Sequence, residues 1–238
     1  MKQRIDQLLV QNGLVKTRSQ ADSWIRLGKV FVNGRNVLEI GAQVEPGAKI
    51  ELRASEQYVS RAGLKLASVV DALKVDFRNK VVLDVGSSTG GFTDYALQHG
   101  AQKVVAVDVG KNQLHPSLRL NKNIELHEQT DIRDVHTISP KPDVVLIDVS
   151  FISLREILPH IISISGPNAY ILAMVKPQFE AMHSDLKLAG VIKNDHIRRD
   201  ILKDFESWAR GRLVIINKAD SSVAGARGNL ERFYLLNS

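Results

Sequence analysis

From Val81 to Thr93 the chain reads Val-Val-Leu-Asp-Val-Gly-Ser-Ser-Thr-Gly-Gly-Phe-Thr, an apolar run, an acid and a glycine-studded turn that opens a helix. The β-branched run has the length and composition of a buried parallel strand, while Gly86, Gly90 and Gly91 let the backbone turn sharply and approach a ligand closely. That pattern predicts a cradle for a nucleotide-like cofactor, with Asp84, Gly86, Ser88, Gly90 and Phe92 as its candidate residues. The turn lacks the GxGxxG spacing of a dinucleotide fingerprint and the Gly-Lys-Ser/Thr ending of a P-loop, so a pyrophosphate is not what it grips. A second apolar run, 103–107, ends in Asp108, where an α/β sheet places the carboxylate that holds a ribose diol. Ribose binding without a phosphate grip points to S-adenosylmethionine.

The 238 residues suffice for one large or two small domains, and 44% hydrophobic content suffices for a core. No stretch approaches the roughly twenty apolar residues of a membrane span, and the N-terminus does not read as a signal peptide, so a cytoplasmic protein is expected. With no cysteine and seven histidines lacking paired ligand spacing, no metal is expected. A net charge of +6 favours a polyanionic partner.

Residues 1–53 read as a small α+β module. Ile5, Leu8, Leu9 and Leu14 fit one helix stopping near Gly13, and Thr17 caps a second that turns Ala21, Trp24, Ile25 and Leu27 inward and ends at Gly28. Val30–Val32 and Ile50–Leu52 read as strands, with Asn33-Gly34 as a tight turn. Arg4, Lys16, Arg18, Arg26, Lys29 and Arg35 fall largely around the second helix and the turn, as a basic face for phosphate backbones would. The segments Arg-Ile-Asp-x-Leu-Leu-Val from Arg4, Thr-Arg-Ser-Gln-Ala from Thr17 and Gly-Lys-Val-Phe-Val-Asn-Gly from Gly28 resemble the RNA-binding domain named after the fourth small-subunit ribosomal protein. Residues 54–60 read as a linker. From Arg61 onward helices alternate with apolar strands, expected at 80–85, 103–108, 123–127, 143–147, 169–175, 212–217 and 231–236, in the manner of a doubly wound α/β sheet. Asn194 would cap a last major helix running to Trp208.

Ligands in such sheets gather at the carboxyl ends of strands. There Asp148 closes one run, Lys176 closes another, and Lys65 lies on the helix before the sheet. Methyl transfer to a ribose hydroxyl requires the oxygen to lose its proton, and an ordinary lysine at pKa ~10.4 is too protonated to take it. A neighbouring cation and burial would lower that value, and a carboxylate would orient the ammonium groups. Each of these residues alone has a structural explanation, as a snorkelling lysine or a helix cap.

Five motifs in order carry a closer resemblance: Tyr58-Val-Ser-Arg-Ala-Gly-Leu-Lys-Leu66, Asp84 to Thr93, Ala106-Val-Asp-Val-Gly110, Asp148-Val-Ser-Phe-Ile-Ser153 and Val175-Lys-Pro-Gln-Phe-Glu180. They resemble the TlyA, or hemolysin A, family, which joins that RNA-binding module to an FtsJ-like domain. The resemblance implies a Rossmann-like methyltransferase sheet with an antiparallel last strand, and S-adenosylmethionine-dependent 2′-O-methylation of a ribose in ribosomal RNA. The family's Lys-Asp-Lys-Glu tetrad falls on Lys65, Asp148, Lys176 and Glu231, with Lys176 as base, and the cofactor site on Gly86, Ser88, Gly90, Asp108 and Asp131. Two places depart from the family pattern: Ala62 stands where glycine is usual, and residues 222–229 follow the loop before Glu231 only loosely.

Two rival readings have different signatures. A cytolysin needs a spanning helix or lipid-facing hairpin, which the sequence does not display. A non-catalytic ribosome-binding or assembly factor has no need of Lys65, Asp148 and Lys176.

Overall fold

The computed structural model describes residues 2–15, 18–26, 28–52, 58–181, 192, 194–223 and 229–237; the side chains of residues 19, 20, 23 and 26 lie outside this description. So do the expected cap Thr17, the inward Leu27, Lys16, most of the expected linker and residues 224–228 of the last turn. The chain divides into two compact units, 1–57 and 58–238.

In the smaller unit, strand β1 (Gln3–Arg4) leads into helices α1 (Ile5–Gln11) and α2 (Arg18–Arg26), then strands β2 (Val30–Val32), β3 (Arg35–Asn36), β4 (Gln43–Val44) and β5 (Ile50–Leu52). Ile5, Leu9, Ala21, Ile25 and Val30 are fully buried. The β2–β3 hairpin turns on Asn33 and Gly34, both at positive φ, as a two-residue turn between twisted strands requires.

The larger unit begins with Tyr58 rather than after it: the ring is buried 5.2 Å from that of Tyr95, and Val59 N donates to Asp94 at 2.8 Å. Residues 58–60 therefore belong to this unit and not to a linker. There follow α3 (Arg61–Leu73), β6 (Val81–Val85), α4 (Gly91–Gln98), β7 (Lys103–Asp108), α5 (Pro116–Arg119), β8 (Ile124–Glu128), β9 (Val144–Ile147), α6 (Leu154–Ile164), β10 (Tyr170–Val175), α7 (Pro177–Glu180), α8 (Asp195–Arg210), β11 (Val214–Asp220) and β12 (Arg232–Asn237). Seven strands form one sheet in the order β11-β12-β10-β9-β6-β7-β8, and β12 runs antiparallel to both its neighbours. β11 runs three residues past its expected end because a bulge between Ile215 and Asn217 lets it stay paired to Asp220.

Alternation along the strands explains the two cores. Leu83, Val85, Val105, Val145 and Ile171 face α6 and α8, while Val82, Val104, Val144, Leu146 and Leu172 face α3 and α4. The α3–α4 contact is made at backbone distance: a Cβ on Gly91 would come within 2.8 Å of both Ala62 Cβ and Gly63 N. The methyl of Ala62, where a glycine is usual, is accommodated because Gly91 has none. The strand order reverses between β6 and β9, so the crevice beyond their carboxyl ends is the natural ligand position.

Candidate active site

A cavity of about 340 Å³ opens at that crevice, lined by Gly86 and Ser88 after β6, Asp108 and Val109 at the end of β7, Asp131 after β8 and Asp148 to Ile152 after β9. Gly86, at φ +82°, brings its bare Cα so near Asp148 that a Cβ would lie 2.6 Å from the Asp148 carbonyl oxygen. Asp108 is held rigidly: Oδ2 accepts from Ser88 N at 2.8 Å and Oδ1 from Gly110 N at 2.7 Å. Asp131 caps the turn at Ile132 by accepting from Arg133 N at 2.9 Å. Hydrogen bonds from the Arg133 side chain hold its carboxyl below the usual range against the opposing effect of burial.

Three residues expected in the cradle do not line the cavity. Asp84 points from β6 toward α4, fully buried, and accepts from Thr93 Oγ1 at 2.6 Å. Phe92 is turned by the helix phase into the core, its ring 6.0 Å from that of Phe233. Gly90 takes φ +90° to start α4 and faces the methyls of Leu114 and Leu118.

Burial pushes the Asp84 carboxyl up to about 7, with Asp148 and Asp108 adding repulsion and Thr93 opposing. Because the folded value exceeds the unfolded one, this group's contribution to stability is full below pH ~4 and is lost as pH rises through about 7. Urea unfolding of Asp84→Asn should therefore gain on the parent between pH 5 and pH 8, on the order of 2–3 kcal/mol. A stability gap that does not change with pH would contradict this account.

The four expected catalytic side chains form two ion pairs. Lys176 Nζ lies 2.6 Å from Asp148 Oδ1 and donates to Ser150 Oγ at 2.9 Å. Lys65 Nζ lies 2.6 Å from Glu231 Oε2, with both side chains at least nine-tenths buried. Strand register places the pairs together: β10 pairs with β9 on one side and with β12 on the other, with Val175 opposite Arg232. Lys176 thus follows β10 beside Glu231, the residue before β12, and the ends of β9, β10 and β12 carry three of the four groups.

The sequence reading missed the supports of this site. Buried Glu180 accepts from Ser153 Oγ at 2.6 Å and from Leu154 N at 2.8 Å, pinning the segment after Lys176 to the segment after Asp148. Between these ties Phe151 rises into solvent, 85% exposed and at φ +67°, a conformation that costs a bulky residue energy. Its ring lies 5.2 Å from that of Phe179, whose own ring is 6.0 Å from Lys176 Nζ. Phe151 thus presents an exposed ring at the cavity wall.

In the smaller unit Arg4 and Arg18 converge on Asp6, while Lys29 and Arg35 are exposed about the β2–β3 hairpin. Arg26 lies in α2 with its side chain outside the described residues.

The larger unit matches the family model described as FtsJ-like methyltransferase over residues 58–237, and the smaller matches the S4 domain over residues 3–50. The chain belongs to the FtsJ-like methyltransferase family. It is 42% identical over 79% of its length to the 23S rRNA (cytidine-2′-O)-methyltransferase TlyA of Campylobacter jejuni, covering 74% of that protein. It is 36% identical to hemolysin A of Brachyspira hyodysenteriae over 96% of this chain and 97% of that one. A solved structure described as a candidate hemolysin from Streptococcus thermophilus superposes with a TM-score of 0.75 at 34% identity, covering 100% of this chain and 88% of that one. Membership in this methyltransferase family implies a methyl donor of the S-adenosylmethionine type. Among the described residues no helix is long and apolar enough to cross a membrane, and no group of side chains is arranged to hold a metal.

Proposed function

We propose that this FtsJ-like protein methylates a ribose 2′-hydroxyl of ribosomal RNA with S-adenosylmethionine. The observation that carries the reading is the pair of lysine–carboxylate contacts at adjoining strand ends beside the cavity. The cavity's chemistry fits the cofactor. Asp108 and Asp148 line the cavity as an acidic surround suited to a cationic ligand, and Ser87 Oγ, in the turn between Gly86 and Ser88, is buried without a hydrogen-bond partner among the described residues. Asp108 would hold the ribose, Gly86 and Ser88 the approach of the backbone, and Asp131 the adenine side. When bound, the cofactor supplies an electrophilic methyl group.

In this reading Lys176, once it has released an ammonium proton to solvent, takes the proton of the 2′-hydroxyl on Nζ, and Asp148 and Ser150 fix the position of that nitrogen. Lys65, itself held by Glu231, steadies the oxygen as its charge develops. Phe151 receives the base of the target nucleotide, for which an exposed aromatic ring is a sequence-tolerant platform. Stacking on an aromatic side chain contributes about 1–3 kcal/mol per base. Phe151→Ala should therefore raise KM for RNA about tenfold with little change in cofactor affinity, and Phe151→Trp should restore it; an unchanged KM for the alanine variant would remove Phe151 from the site. Mass analysis of nucleosides from the treated RNA tests the reaction itself. The expected product is a 2′-O-methylated nucleoside, and a base-methylated one would contradict the proposal.

A further inference from the structure

The S4 unit contains a feature opposite to expectation for a surface that meets a polyanion: a buried acid gripped by two of its expected RNA-contacting arginines. Asp6, in the first turn of α1, has a side chain only 1% exposed. Arg4 grips it from before the helix, Nε to Oδ1 at 3.0 Å and an Nη2 to Oδ2 at 3.3 Å. Arg18, at the start of α2, donates to Oδ2 from Nε at 3.0 Å and from Nη2 at 2.6 Å. The two arginine side chains nonetheless remain 42% and 58% exposed. A guanidinium offers five donors in a rigid plane, so fixing one edge orients the rest. Two long side chains from separate elements are thereby held as one fork, with the rotamer entropy of binding already spent in folding. We infer that Asp6 is a positioning residue for RNA binding, its buried carboxylate setting Arg4 and Arg18 side by side to receive RNA backbone phosphate. This rests on the reading of the S4 unit as the RNA-binding part of the enzyme.

The sign of the effect makes the inference testable. Removing an acid from a cationic surface raises its positive charge, so simple electrostatics predicts tighter RNA binding. Preorganisation predicts the reverse. In filter binding of the full chain to deproteinised ribosomal RNA at fixed salt, Asp6→Asn should weaken affinity about three- to tenfold. Asp22→Asn carries the same charge change at a residue whose influence on Arg4 is Coulombic, and should leave binding equal or tighter. On an Arg4→Gln/Arg18→Gln background, Asp6→Asn should cause no additional loss. Binding by Asp6→Asn that equals or exceeds the parent overturns the inference, and so does a further loss on the arginine-free background, which would mean that Asp6 acts only through the fold. A parent protein that fails to bind the RNA would instead count against the RNA-binding reading of the unit.

Discussion

Lys176→Ala should lower the rate of methyl transfer about 10²- to 10⁴-fold, the range a positioned general base contributes, with cofactor and RNA affinities close to those of the parent. The nitrogen lost is the one at 2.6 Å from Asp148 and 2.9 Å from Ser150, so the variant also leaves Asp148 without that cationic partner. Single-turnover rates separate the chemical step from binding, and calorimetry checks the cofactor. A variant with parental single-turnover rates would show that another group takes the proton, and a variant that loses both rate and cofactor binding would assign Lys176 to the cradle instead.

Gly86→Ala should be nearly as severe for a different reason. The residue sits at φ +82°, where an L side chain is strained by roughly 1–2 kcal/mol, and its Cβ would lie 2.6 Å from the carbonyl oxygen of Asp148 and 3.0 Å from that carbon. Neither neighbour is a flexible tip, so the backbone bearing Asp148 has to move. A displacement of about 1 Å at a reacting group costs on the order of a hundredfold in rate, and the cavity wall moves with it. We expect turnover and cofactor affinity to fall together. Gly90→Ala supplies the contrast: at φ +90° the nearest atoms to its Cβ belong to the side chains of Leu114 and Leu118, and it should lose stability with a smaller effect on turnover. Equal effects of the two variants on cofactor affinity would contradict the distinction drawn between a cavity wall and a helix start.

Much of the sheet was legible because its strands are short β-branched runs that end in a charged residue, as at Asp108, Asp148 and Lys176. The same rule misplaced Asp84. An acid inside the run 81–85 obeys strand alternation, which turns it toward α4 with Val82, whereas the residue that reaches the crevice is the glycine just past the strand end. Phe92 was misread for the helical counterpart of that reason, since the phase of α4 directs it to Phe233. Strands β1, β3 and β4 carry two residues each, too few to show a period. Glu180 was unreadable because its partners lie 26 and 27 residues away, and the ion pair of Lys65 with Glu231 spans nearly the whole unit. Phe151 stood within a quoted motif, but its exposure and positive φ are properties of the folded segment alone.

Incubating the purified protein and tritiated S-adenosylmethionine with unmodified small and large ribosomal subunits, in separate reactions, decides whether the protein methylates ribosomal RNA. Label is expected on RNA of at least one subunit, held at a linkage that alkali does not cleave, as a 2′-O-methylated ribose is, and absent with Lys176→Ala. No label on either subunit, from a protein that calorimetry shows to bind the cofactor, would contradict the proposed reaction and favour a ribosome-binding role without catalysis.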